Sequence, residues 1–202
     1  MMGRYAKILG IFALILAMPV AVVAAVANGS KAPDFKLTDI DGKAHALSDL
    51  EGKYVVIEFT NPGCPYVQKH TKAGTIAKLA AKYPDVAFLG VNSTNADHKD
   101  YLTPEEYKKW VADKHLVHPQ LYDTDGAVGQ AYGAKTTPHM FVVNPAGEVI
   151  YQGAIDNDAG VVFGKDEDEI VNYVDAALTA AKAGKTVDPA QTKPYGCSVK
   201  YK

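Results

Sequence analysis

Apolar positions alternate along the chain between continuous runs and helical stripes. Tyr54-Val55-Val56-Ile57-Glu58-Phe59 is an apolar run interrupted only by Glu58, the pattern of a strand covered on both faces in a parallel sheet. Val86-Ala87-Phe88-Leu89-Gly90-Val91 repeats it. His139-Met140-Phe141-Val142-Val143 turns at Asn144-Pro145-Ala146-Gly147 and returns as Glu148-Val149-Ile150-Tyr151, an antiparallel hairpin. Helical signals lie between these runs. Pro65 suits a first helical turn, Ile76, Leu79 and Ala80 give that helix an apolar stripe, and Tyr83-Pro84-Asp85 ends it. Thr103-Pro104-Glu105-Glu106 opens a capped helix that runs to about His115, on which Tyr107 and Trp110 fit the side packed on the sheet. After the short segment Ala127 to Tyr132, a last helix is predicted over Glu167 to Ala183, stopped by Gly184. At the front, Ala32–Leu37 and Ala44–Leu47 flank the turn pair Asp41-Gly42 as a short hairpin. Parallel core strands joined by helices and closed by a hairpin predict an α/β sandwich.

The first residues do not belong to that pattern. Arg4 and Lys7 precede an uncharged stretch from Ile8 to Ala27 that ends in Ala25-Val26-Ala27, which reads as a secretory signal with a small-residue cleavage site before Asn28. Residues 1–27 are thus a leader and 28–202 one domain, with 185–202 as its tail. The protein is expected to be exported, to the periplasm or beyond. Left uncleaved, the stretch is long enough to anchor the chain in a membrane with the domain outside the cytoplasm. The domain carries 19 lysines, no arginine and 23 acidic residues, a net charge of −4. Basic residues are neither in excess nor clustered, so nucleic acid is not an expected partner.

Candidate chemistry centres on the two cysteines, Cys64 and Cys197. Cys64 falls between an apolar strand and the start of a helix, where unpaired N–H groups and the helix dipole favour a thiolate. Cys197 lies 133 residues later in the polar Pro194-Tyr195-Gly196 tail, which reads as too short for a core element, so only folding back brings the thiols together. In an oxidising compartment a pair of cysteines has an inert reading beside the reactive one, a structural disulfide. Across so long a loop it would stabilise the fold by roughly 4–5 kcal/mol in the chain-entropy account. His70 reads either as a solvated helix residue or as an assistant to the thiol. His45, His98, His115 and His118 read as surface residues.

Ala32-Pro33-Asp34-Phe35, Asp41-Gly42-Lys43, Gly52-Lys53, the strand leading to Cys64, and Thr136-Thr137-Pro138 together resemble the thioredoxin fold in its redoxin form, the alkyl hydroperoxide reductase and thiol-specific antioxidant family. Cys64-Pro65-Tyr66-Val67, Ala131-Tyr132-Gly133-Ala134, Thr137-Pro138-His139, Gly153-Ala154-Ile155-Asp156 and Gly196-Cys197-Ser198-Val199-Lys200 are similar to exported peroxiredoxin-like members. The resemblance implies a central mixed β-sheet flanked by helices, with a C-terminal hairpin and helix. It implies a cis peptide before Pro138, shaping with Thr137 and His139 a ledge beside the reactive thiol. It also implies Cys64 as that thiol, in a site shaped by Asn61 and Pro65, and Cys197 as the candidate resolving thiol.

Two departures qualify the resemblance. Thioredoxin-type sites pair two thiols as Cys-X-X-Cys, and the matching tetrad here is taken as Asn61-Pro62-Gly63-Cys64, which lacks the first of them. Peroxiredoxins place a Thr three residues before the peroxide-reactive cysteine and add a distant Arg; here Asn61 stands in that place, and no Arg follows Arg4. A fixed guanidinium steadies the departing oxygen of a cleaved peroxide. Lys69 or His70 could contribute charge or a donor, but neither reproduces that fork.

The expected function is therefore an exported thiol-disulfide oxidoreductase, or a peroxiredoxin-like antioxidant protein. Its substrate is a thiol or disulfide protein or a peroxide, its electron donor is external, and no organic cofactor is needed because sulfur carries the electrons. Two other readings stay open. One is a copper-binding module with Cys64, His139 and either His70 or Cys197 as ligands. The other is a non-catalytic domain with a structural disulfide.

Overall fold

The computed structural model describes residues 25–202, so most of the predicted leader lies outside the described residues. Nine strands and five helices follow one another as β1 (Lys36–Asp39), β2 (Ala44–Ala46), β3 (Val55–Phe59), α1 (Pro65–Ala73), α2 (Thr75–Lys82), β4 (Ala87–Asn92), α3 (Pro104–Asp113), β5 (Gln120–Tyr122), α4 (Ala127–Tyr132), β6 (Thr136–Thr137), β7 (His139–Val143), β8 (Val149–Gly153), α5 (Tyr173–Lys182) and β9 (Cys197–Ser198). Seven strands form one mixed sheet in the order β2-β1-β5-β4-β3-β7-β8. Parallel pairs join β3 to β4 and β4 to β5, while β7 runs antiparallel to β3 and β8 antiparallel to β7. The expected mixed sheet flanked by helices is present, and the fold is thioredoxin-like.

Burial explains the central strand. All five residues of β3 are buried, and its alternation divides the interior in two. Val55, Ile57 and Phe59 face a cluster with Phe35, Leu89, Val91, Leu121, Tyr132 and Phe141. Val56 faces the other side, where Ile76 and Leu79 of α2 and Val174 and Leu178 of α5 pack against Met140 and Val142. Phe141 meets Phe59 and Tyr132 edge-on while Phe59 lies tilted against Tyr132, with centroids 5.1–5.6 Å apart, geometries suited to the ring quadrupoles.

Several boundaries differ from the sequence reading. The helix expected as one piece from Pro65 is two, because Gly74 adopts φ +64 and its N–H bonds back to the carbonyls of His70 and Thr71. The last helix starts at Tyr173: Asn172 caps it by accepting from the Asp175 N–H, and Glu167–Glu169 is only a 3-10 turn before an extended Ile170. β5 gave too short a signal, three residues between polar loops. The tail, expected to form no core element, supplies β9, which pairs antiparallel with β6.

α3 begins with the predicted capping residue, a reciprocal box between Thr103 and Glu106. On its inner face Tyr107 is fully buried and its hydroxyl donates to Gln120 Oε1 at 2.8 Å. That bond ties α3 to the sheet through β5. Tyr107→Phe leaves the Gln120 oxygen without this donor and should lower unfolding free energy by about 1–3 kcal/mol, read as a lower urea midpoint with an unchanged slope.

Candidate functional site

The site lies where β3 gives way to α1. Cys64 is the N-cap of α1 and Pro65 its first residue. Ahead of it, Asn61 makes the turn: its Oδ1 accepts from the Gly63 N–H at 2.8 Å, and its carbonyl accepts from the Cys64 N–H at 2.9 Å. Asn61 is 1% exposed, and its Nδ2 approaches Asp100 at 3.5 Å. Because Asn61 to Gly63 lie wholly before the helix, Cys64 occupies the helix-opening position. The tetrad that matters therefore runs forward, Cys64-Pro65-Tyr66-Val67, with buried Val67 at the place of a second thiol in the same turn. The frame taken from the sequence, ending at Cys64, is corrected by where the helix starts.

The second thiol comes from the tail. Thr137 and Cys197 are register partners in the β6–β9 pair. Cys64 is 1% exposed and its thiol donates to the Thr137 carbonyl at 2.9 Å. Cys197 is half-buried beside Cys64, and both are free thiols in this structure. Burial and then the neighbouring Cys64 sulfur push the Cys197 thiol up to about 11, so at neutral pH Cys197 keeps its proton. Gly196 makes this approach feasible. Its φ is +131, and a Cβ there would lie 2.1 Å from the Thr137 carbonyl oxygen.

The remaining predicted residues are distributed around this pair. The Thr137–Pro138 peptide is cis. Thr137 is buried, and its hydroxyl has no partner among the described residues. His139 is 4% exposed; its Nδ1 accepts from the Lys135 N–H at 3.2 Å and its ring lies 4.6 Å from that of Phe141. Burial and the Lys135 charge hold it neutral, down to about 4. Among the described residues no group of three His, Cys, Asp or Glu is arranged to hold a metal ion.

His70 is neither solvated nor in recorded contact with the thiol. It is 2% exposed, bonded through Nδ1 to Thr75 Oγ1 at 3.2 Å and through Nε2 to the Tyr195 hydroxyl at 2.9 Å. Lys69 beside it donates to the Asp158 carbonyl at 2.5 Å and lies 4.5 Å from the Phe163 ring centroid. Burial, with help from Lys69, pushes His70 down to about 3. His118 is only partly a surface side chain. Both ring nitrogens are buried without partners among the described residues, and burial pushes it down to about 4.

Sequence reasoning passed over Glu58. It interrupts an otherwise apolar strand on the same face as Val56, only 7% exposed, and burial alone pushes its carboxyl up to about 7. With His70, His118, Thr60 and Gln120 it lines a small cavity between β3, α2 and the segment after α3. The visible signal was a charged residue at a core position six places before Cys64.

The sequence model of the AhpC/TSA family matches residues 28–152, and the chain belongs to that family. Thiol-disulfide oxidoreductase ResA of Bacillus subtilis (strain 168) is 30% identical over 127 residues, 62% of this chain and 66% of that protein. ResA of Geobacillus kaustophilus (strain HTA426) is 32% identical over 125 residues, 62% of this chain and 68% of that one. The chain thus spans about two thirds of the length of these curated relatives. Two solved structures cover nearly everything: a hypothetical protein of Sinorhizobium meliloti 1021 (29% identity, TM-score 0.78, 89% of this chain and 97% of that one) and an uncharacterized conserved protein of Geobacillus kaustophilus (30%, 0.77, 93% and 98%). At family level, then, the named relatives are thiol-disulfide oxidoreductases.

Glu58 also generates a pH signature. In the unfolded chain it ionises above about 4.5, in the fold only above about 7, so between those values the unfolded chain binds fewer protons and stability falls as pH rises. His70, His118 and His139 act in the opposite direction. They are neutral in the fold and protonate in the unfolded chain below about 6.5, so their contribution is lost as pH falls through the folded values of about 3 to 4. Glu58→Gln removes only the first effect. Its stability relative to the unaltered protein should climb by about 3 kcal/mol from pH 4.5 to 7 and stay level above, measured by urea unfolding at each pH. A difference that does not change with pH would show that Glu58 is not held neutral.

Proposed function

We propose that the protein is an exported thiol-disulfide oxidoreductase in which Cys64 exchanges with the substrate and Cys197 resolves. The observation that supports this reading best is that two cysteines 133 residues apart in sequence meet at the N-terminus of α1, beside the carbonyl that precedes Pro138. A static disulfide needs no helix N-terminus, whereas an exchanging thiol does.

The reaction follows from the pair. The Cys64 thiolate attacks one sulfur of a substrate disulfide, forming a mixed disulfide and releasing the other substrate sulfur as a thiolate. Cys197 then attacks the Cys64 sulfur, its proton passing to the departing substrate sulfur, and displaces that sulfur from Cys64. The substrate leaves with two thiols, and the protein holds a Cys64–Cys197 disulfide. An external dithiol reverses the sequence and restores both cysteines. Asn61 and Pro65 set the turn and the helix start around Cys64, and Thr137 and Pro138 form the edge beside it. His139 supports that edge through the Lys135 N–H. The substrate class is a protein disulfide. Peroxide is the secondary substrate, because no arginine follows Arg4 to steady the departing oxygen. The leader-like residues 1–27 support an extracytoplasmic location, where the cycle requires a donor of reducing equivalents.

Turnover of a protein disulfide with dithiothreitol as donor tests the assignment. Cys64→Ser should reduce the rate to background, whereas Cys197→Ser should accumulate a mixed disulfide on Cys64, visible by mass under non-reducing conditions. Full activity of Cys64→Ser would sink the proposal. Hydrogen peroxide reduction faster than disulfide reduction would invert the two substrates.

A further inference from the structure

Cys197 can resolve only if the tail holds it at Cys64, and the residues on either side show how it is held. Upstream, Thr192 is fixed to the end of β8: its N–H donates to the Gln152 carbonyl, and its hydroxyl accepts from the Ala154 N–H at 2.9 Å and bonds the Tyr151 hydroxyl at 2.6 Å. Downstream, the Val199 N–H donates to the Lys135 carbonyl, Asn95 Nδ2 donates to the Lys200 carbonyl at 2.8 Å, and the Tyr201 hydroxyl donates to the Ala134 carbonyl at 2.9 Å. Between these anchors lies Tyr195, two residues before Cys197. Its hydroxyl donates to Asp156 Oδ1 at 2.5 Å and accepts from His70 Nε2 at 2.9 Å. Its ring lies 5.9 Å from that of Tyr66 and 5.2 Å from Lys69 Nζ.

Three of these neighbours, Tyr66, Lys69 and His70, belong to α1, the helix that Cys64 caps. The phenol therefore ties the second thiol's segment to the first thiol's helix, with Asp156, which follows β8, as the shared partner. His70 is 2% and Asp156 2% exposed, so neither readily exchanges Tyr195 for water, and losing the hydroxyl leaves both buried groups short of a partner.

We propose that Tyr195 is a positioning residue for thiol exchange: through His70 and Asp156 it fixes the tail on α1 and sets the effective concentration of Cys197 at Cys64. The proposal rests on the exchange reading above. Without the hydroxyl the segment from residue 193 to 198 retains its ends, the ring packing of residue 195 and the two-residue pairing with β6, but loses its hydrogen bonds to buried partners, and an intramolecular reaction weakens as its partners gain freedom.

The test is the equilibrium of the Cys64–Cys197 disulfide in dithiothreitol buffers, read in the full chain by alkylation and mass. Tyr195→Phe keeps the ring and removes the hydroxyl. It should shift the equilibrium about tenfold toward the dithiol, a potential about 30 mV less negative for a two-electron couple. Tyr83→Phe removes a phenol that bonds Asp175 and Thr179 away from the tail, and should lower stability without moving the potential. In a Cys197→Ser background, Tyr195→Phe should leave the rate of Cys64 with a small aromatic disulfide unchanged. An unshifted equilibrium in Tyr195→Phe, or an equal shift in Tyr83→Phe, would overturn the positioning role alone. Absence of any Cys64–Cys197 disulfide in the unaltered protein would overturn the exchange reading and this inference together.

Discussion

The antiparallel pairing of Thr136–Thr137 with Cys197–Ser198 is the contact on which the candidate chemistry depends. Its two residues on each side bury little apolar surface, so it contributes little to stability. It nevertheless determines whether Cys64 has a second thiol. The large sheet supplies the fixed side of the pair, because β7 follows directly after Pro138 and is buried along its whole length. The tail supplies the other side, held by hydrogen bonds before and after Cys197.

This arrangement resolves the incomplete active turn. A turn with one cysteine cannot make its own disulfide, and Val67 fills the place where the partner would stand. In the proposed exchange the partner is Cys197, whose segment pairs with the edge beside the cis Thr137–Pro138 peptide. Cys64 is 1% exposed in this arrangement. The two sulfurs also differ in character: Cys64 sits at a helix N-terminus, while Cys197 keeps its proton.

Around the sulfurs lies a set of buried polar groups that an apolar core would not need. Glu58, His70, His118 and Asp156 all have their charge balance displaced by burial. Only some are compensated by bonds. His70 and Asp156 share the Tyr195 hydroxyl, whereas the His118 nitrogens have no partner among the described residues. Uncompensated buried polarity costs stability, and among the described residues it falls on the His118 ring and the Thr137 hydroxyl.

Much of the fold was legible in sequence because its signals are local. Continuous apolar runs marked β3, β4 and β7, and Pro65 and Thr103 marked helix starts, whereas the edge at Thr137-Pro138 was implied by the family resemblance. Cys64 was legible for the same reason, as a thiol between a strand and a helix start. What the sequence left open depended on distant contacts. Gly74 dividing a helix, Asn172 capping one, and a two-residue strand in a polar tail carry too few residues to leave a periodic pattern. His70 looked like any helix-surface residue until Tyr195, 125 positions away, closed over it. Local periodicity therefore determined the layers and the first thiol. Only tertiary structure decided that Cys197 lies against it, because that meeting is set by the return of the tail across a finished sheet and not by any residues adjacent in the chain.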